Sequence, residues 1–261
     1  MKLLTNISIA NVYRDSTFGS ETISQSYMGE QLEVLEQKDS WFLVLLEDGY
    51  KGWIPSSFVV EKPEHWDDHE FYATQSHVSK IYESPDQLAP TFRDVTILSK
   101  LPATSREAGW IQVLLPDGLS GWIPDNPRYE PSSLDVENLL EIAHSFLGIQ
   151  YFWGAKSPKG FDCSGFVQTC FKLQGLQLPR DAYLQAEVGE QVSSDFQDWQ
   201  AGDLIYFSER TEKISHVAIA LEDGKFIHAS GFVRINSMNP EHGELYTAKY
   251  SKIYTKTMRV L

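Results

Sequence analysis

GFDCSGFVQTCFKLQG, residues 160–175, is the stretch whose reading decides the C-terminal half of this chain. Gly154, Pro158 and Gly160 mark a loop, and SGFVQTCFKL then reads as a helix that stops at Gly175. Asp162 stands where an N-cap belongs, so Cys163 falls in the first turn. There the unpaired N–H groups and the positive end of the helix dipole favour a thiolate over a thiol. The same N–H groups suit the oxyanion of a tetrahedral intermediate. Cys170, in mid-helix among Phe166, Val167 and Phe171, reads instead as a small buried hydrophobe. Two cysteines roughly two turns apart on one helix are out of disulfide reach and too few for a metal cluster. A lone cysteine is more often core than catalyst, so Cys163 needs a base.

Downstream, DLIYFS (203–208), ISHVAIAL (214–221), KFIHASG (225–231) and VRIN (233–236) read as strands. His216 and His228 lie on the two strands joined by Glu222-Asp223-Gly224. Side chains alternate faces along a strand, so a two-residue Asp-Gly turn would put the histidines on opposite faces. A three-residue loop with a left-handed glycine puts both on one face, and that loop is expected. A cysteine at a helix start followed by two histidines on one sheet face has the order nucleophile, base, polar third group.

Upstream, SSLDVENLLEIAHSFLG carries apolar residues at 136, 139, 140, 143, 146 and 147, one face of a helix. Ser132 or Ser133 is the expected N-cap and Gly148 the stop, so a new domain starts near 131. The first half has a different grammar, because DGYKGWIP at 48–55 returns as DGLSGWIP at 117–124. Trp41 and Trp110, like Trp53 and Trp122, are 69 residues apart, and Val12-Tyr13-Arg14 aligns with Ile81-Tyr82-Glu83. Short β-rich runs separated by Asp-Gly predict two small all-β barrels. Between them, His65 and His69 in EKPEHWDDHE would suit a metal if helical, whereas the acidic composition reads as a solvated connector.

The chain has 261 residues, 42% apolar and 22% charged, enough for several real cores. A formal charge of −14 and a pI near 4.9 argue against nucleic-acid or anionic-membrane partners. Asn6, Ser8 and Asn11 interrupt any apolar leader, and no window matches a membrane span. The expected address is the cytoplasm, or the periplasm or exterior if the chain has been trimmed. No cofactor or metal is implied, and a monomer is the default expectation.

The W-x-x-V…DG-x-x-GW-I-P pattern resembles the distal hairpin and closing strand of bacterial SH3 domains, over residues 1–60 and 70–130. DCSGF, SHVAIAL, FIHASG and the Tyr-x-Trp-Gly at 151–154 resemble the NlpC/P60 family of cell-wall cysteine peptidases, over residues 131–261. That resemblance implies an α+β chain, with a papain-like catalytic domain behind two SH3-like barrels. It implies hydrolysis of the bond between γ-D-glutamate and a diamino acid, meso-diaminopimelate or L-lysine, in peptidoglycan peptides. Carried over, Cys163 is the nucleophile, His216 the base and His228 its orienting partner. Tyr151 shapes the site and Trp153 belongs to the same element. Asp162 and Ser164 flank the cysteine where the family reads the substrate's N-terminal part, although Asp162 can be simply an N-cap. Arg180, in LPRDAYLQ, meets the D-glutamate carboxylate or pairs with Asp181. Tandem barrels with this domain resemble the dipeptidyl-peptidase VI group, whose first barrel closes the cleft around a free N-terminal L-alanine. Asp162, with Tyr50 or Trp41 from the first barrel, would then meet the free amine. Competing readings are a secreted wall hydrolase whose barrels bind peptidoglycan, an inactive binding protein, and an amidase or acyltransferase with the same residues.

Overall fold

In the computed structural model, which describes residues 1–74, 76–125, 135–209 and 213–261, the Asp-Gly pairs close three hairpins, two of them alike and the third with Asp223 itself left-handed at φ +58°. Glu47-Asp48-Gly49, Pro116-Asp117-Gly118 and Glu222-Asp223-Gly224 are each three-residue loops, closed by N–H to carbonyl bonds from Leu46 to Tyr50, Leu115 to Leu119 and Leu221 to Lys225. Their glycines have φ of +80°, +84° and +73°, the left-handed region that a Cβ disfavours. The chain divides into two units at residues 130/131.

The first unit holds two sheets. One contains β1 (Lys2–Thr5), β2 (Ile9–Tyr13), β3 (Thr22–Tyr27), β4 (Gln31–Lys38), β5 (Trp41–Leu45), β6 (Lys51–Pro55) and β7 (Val59–Glu61). The other contains β8 (Phe71–Ala73), β9 (Val78–Tyr82), β10 (Thr91–Thr96), β11 (Lys100–Glu107), β12 (Trp110–Leu114) and β13 (Ser120–Pro124). The strand orders are β3-β2-β6-β5-β4-β1-β7 and β10-β9-β13-β12-β11-β8, so the copies match strand for strand before β7 is added. The sequence repeat is thus a repeat of topology. Tyr13 and Trp41 meet edge to face at 5.6 Å, and their counterparts Tyr82 and Trp110 do so at 5.2 Å. Alternating apolar residues fill each barrel, Val12, Leu32, Val44 and Ile54 in the first and Ile81, Val95, Ile111 and Ile123 in the second.

The connector is exposed over most of its length, as its acidic composition implies, and Trp66 is the exception. His65 and His69 flank a short 3-10 turn, Trp66–Asp68, and His65 Nδ1 meets Asp68 at 2.9 Å. Trp66 is only 2% exposed and joins a core that takes Leu4 and Met28 from the first barrel and Tyr72 from the second. Removing so large an apolar surface from water outweighs the acidic composition around it.

The second unit is α+β. Helix α1 (Val136–Ser145) is capped by the side chain of Asp135, which accepts from Glu137 N–H, and Gly148 follows with φ +86°. The cap is therefore not a serine at the helix edge; Ser132 and Ser133 lie outside the described residues. A short hairpin of β14 (Lys156–Ser157) and β15 (Gly160–Phe161) leads into α2 (Cys163–Leu173), followed by α3 (Ala182–Gln185). The main sheet contains β16 (Glu190–Val192), β17 (Leu204–Phe207), β18 (His216–Ala220), β19 (Lys225–Ser230), β20 (Phe232–Ser237) and β21 (Tyr254–Arg259), with α4 (Ala248–Ile253) before the last. Its order is β16-β21-β17-β18-β19-β20, and neighbours run antiparallel. Ala218, Ala220 and Phe226 pack with Trp199 and Tyr250 on one face. Helix α2 contacts β18 and β19, so it takes the other face, where Val217, Ile219 and Ile227 are fully buried. Among the described residues no helix is long and apolar enough to cross a membrane.

Candidate active site

Asp162 caps α2 as its sequence position requires, accepting from Gly165 N–H at 2.7 Å. Gly165 is obligatory for another reason: a Cβ there would collide with the Ala155 carbonyl oxygen, so the first turn lies directly on the 154–156 backbone. Cys163 is thereby held in the first turn, 7% exposed, while Cys170 is fully buried. The Cys163 thiol points to the carbonyl of Ser215 at 3.9 Å, and the N–H groups of Val217 and Ser164 also donate to the sulfur. Cys163 therefore meets the backbone on both sides of His216, at the start of β18.

Ile219 pairs with Ile227 and Ala220 with Phe226, the register of a three-residue loop, and it puts both histidines on one face. His216 Nε2 and His228 Nδ1 are 2.7 Å apart. On the far side His228 Nε2 meets Asn236 Oδ1 at 3.0 Å. Tyr250 walls the pair, its ring 5.2 Å from that of His228 and stacked at 6.5 Å over His216. Burial holds both imidazoles neutral: His216 is pushed down to about 4, with Lys249 and Arg234 adding to the effect, and His228 well below its usual range.

Burial also pushes the Cys163 thiol up to about 12, and the neighbouring Asp162 carboxylate adds to the rise. This corrects the expectation of a resting thiolate. The two N–H donors and Arg180 favour the anion, but desolvation of a buried sulfur is the larger effect. At neutral pH the site holds a neutral thiol and neutral imidazoles, so a thiolate forms there only by moving one proton.

A cleft of ≈ 420 Å³ is lined by Tyr151, Trp153, Glu209, Ser215, His216 and the 229–231 turn. Burial and the nearby Cys163 raise the Tyr151 phenol above its usual range, so it stays a hydrogen-bond donor at neutral pH. Trp153 is 60% exposed at the rim.

Comparison with known proteins fits this geometry. Residues 148–255 match the NlpC/P60 family, and residues 12–58 match the bacterial dipeptidyl-peptidase SH3 domain. A γ-D-glutamyl-L-lysine dipeptidyl-peptidase of Bacillus cereus is 30% identical over 87% of this chain and 73% of its own length. The chain belongs to the NlpC/P60 family. A protein with the same description from Bacillus subtilis is 28% identical over 79% of this chain and 71% of its own. The solved structure of an NlpC/P60 family protein from Bacillus cereus, 24% identical, superposes with a TM-score of 0.86 over the whole of both chains.

Within this NlpC/P60 domain the remaining sequence candidates fall into different settings. Arg180 corrects the expectation most plainly. It is 2% exposed, and its guanidinium reaches Asp162 at 2.5 and 3.0 Å and Ser164 Oγ at 3.0 Å. It is committed to Asp162 rather than held out for a substrate carboxylate, because leaving either charge alone in the interior costs several kcal/mol, about 3–5. Asp162 also accepts from Gly154 N–H at 2.9 Å, so its charge is compensated and its oxygens are engaged. Asp181 sits at the start of α3 and accepts a bond from the Tyr183 hydroxyl. In the first unit, Trp41 is buried beneath Phe18, and Tyr50 is half-buried just after its Asp-Gly turn. Asn236 was missed, although a signal existed: in VRIN it has the parity that the hairpin through Gly231 brings to the face of His228.

Proposed function

We propose that this chain is a cysteine peptidase that cleaves the bond between γ-D-glutamate and a diamino acid in peptidoglycan-derived peptides with a free N-terminal L-alanine. The observation that carries this reading is the Cys163 sulfur at a helix start against the backbone flanking His216, itself 2.7 Å from His228. His216 takes the thiol proton, and the sulfur attacks the γ-carbonyl carbon. The oxyanion forms beside the start of α2, whose dipole favours negative charge, with the protonated Tyr151 lining the cleft as a donor. The intermediate collapses as His216 returns the proton to the departing amine. Water then cleaves the thioester, with His216 again as base.

The free amine follows from the chemistry in the relatives' names, since a dipeptidyl-peptidase counts two residues from an amino end. With Asp162 neutralised by Arg180, amine recognition falls to acceptors other than that carboxylate. Intact wall carries its L-alanine as an amide, so an enzyme that requires the amine works on released peptides, in recycling. The test is incubation with L-Ala-γ-D-Glu-meso-diaminopimelate and with its N-acetyl form, following the released diamino acid by mass spectrometry. Only the first should be cleaved; equal cleavage of both sinks the amine requirement, and cleavage of neither sinks the bond assignment.

A further inference from the structure

Asn236 lies on β20, the partner strand of β19, with its side chain on the His228 face and almost no exposure. Its amide is oriented by a second contact, Nδ2 donating to the Leu245 carbonyl at 3.2 Å. That leaves Oδ1 facing His228 Nε2 at 3.0 Å. An amide oxygen only accepts, so the proton of neutral His228 is on Nε2 and its Nδ1 is bare. The atom 2.7 Å from that bare nitrogen is His216 Nε2, which must therefore donate. His216 then carries its single proton on Nε2, and its Nδ1 has a free lone pair.

The same two rings at the same separation admit the opposite direction. With the proton of His228 on Nδ1, His216 Nε2 would accept, His216 Nδ1 would be protonated, and no lone pair would remain for the thiol. Nothing within the histidine pair chooses between these chains.

We infer that Asn236 is a positioning residue that fixes the direction of this chain, with the 240–245 segment anchoring it through Leu245, so that Nδ1 of His216 is the atom that takes the Cys163 proton. This rests on the reading of Cys163 as nucleophile and His216 as base. In the step, the S–H bond breaks, its electron pair stays on sulfur, and an N–H bond forms at His216 Nδ1. The imidazolium still donates through Nε2 to His228, so no other proton moves.

The decisive measurement needs no substrate: ¹⁵N NMR of the histidine side chains in the full chain at neutral pH. The wild type should show His216 and His228 protonated on Nε2 and bare on Nδ1; a proton on His228 Nδ1 overturns the inference, whatever the variants do. Asn236→Leu, which keeps the volume and removes the acceptor, should show a mixture of tautomers. Its kcat should fall at least about twofold, in step with the fraction of His216 that the spectra show protonated on Nδ1, with KM unchanged. Asn236→Asp keeps the acceptor and should retain both the tautomer and most of kcat. A merely structural role would lower the Tm of both variants and leave the tautomers as they are, and that result also overturns the inference. If the tripeptide is not cleaved by the wild type, the substrate reading fails, while the spectra still decide the role of Asn236.

Discussion

Among its described residues the second unit contains two chains of thiol or hydroxyl, histidine and polar partner, and they differ in setting. The first is Cys163 with His216, His228 and Asn236. The second is Ser237, whose Oγ is 2.8 Å from His242 Nδ1, with His242 Nε2 2.8 Å from Asp223 Oδ2. By residue type and distance the second is a serine-histidine-aspartate triad. Yet Ser237 is fully buried, and its oxygen accepts from Asn239 N–H at 2.9 Å and donates to the Gly224 carbonyl at 3.2 Å. That oxygen is used up by backbone, whereas the Cys163 sulfur stands at a helix start beside a cleft that His216 lines. A hydrogen-bonded trio makes a site only where its nucleophile can meet a substrate. The second trio instead clasps the 222–224 loop to the end of β20.

The contrast is broken most decisively by exchanging nucleophiles for alanine. Cys163→Ala should lower tripeptide cleavage by roughly 10⁴-fold or more, because later steps depend on the covalent intermediate. Release of the diamino acid, measured by mass spectrometry with the folded variant verified by circular dichroism, checks this. An active variant would end the assignment of Cys163.

A smaller effect separates the two histidine chains by pH. His216 has a folded-state value of about 4 against an ordinary 6.5, so the unfolded chain binds the extra proton between them. Its contribution is complete above about 6.5 and is lost as the pH falls toward 4, amounting to roughly 3 kcal/mol between those values. His228 shifts in the same direction and steepens the loss. In the second chain the His242 hydrogen bond lowers the Asp223 carboxyl below 3.8, so its contribution persists above that value and disappears only in stronger acid. Denaturant unfolding of wild type and His216→Gln between neutral pH and pH 4 should therefore show a steep loss for the first and a shallower one for the second. Parallel curves would remove His216 as the source.

Much of this was readable before any coordinates. The repeat spacing carried the duplicated barrels, the Asp162 cap carried the start of α2, and loop length with strand parity carried the pairing of His216 and His228. These are local signals, in which one turn residue or one period decides the outcome. What was not readable depends on neighbours distant in sequence. Arg180 is directed to Asp162 by the interior, which neither LPRDAYLQ nor DCSGF displays by itself. The raised Cys163 thiol reflects desolvation, which outweighs a helix-end effect that the sequence does display. Trp66 is buried because it fits a core drawn from both barrels, and composition alone makes its segment look solvated.

The smallest effect is the sharpest test of what distinguishes the two trios. Ser237→Ala removes an acceptor from the buried Asn239 N–H and a donor to the Gly224 carbonyl, so it should cost about 1–3 kcal/mol in unfolding free energy. Tripeptide cleavage below the melting transition should not change, since Ser237 holds the loop and has no route to substrate. A loss of activity with stability intact would mean that the buried oxygen takes part in the chemistry, and access would no longer separate one chain from the other. The reverse pattern, reduced stability with full turnover, makes position beside an open cleft the criterion by which one trio is a clasp and the other an active site.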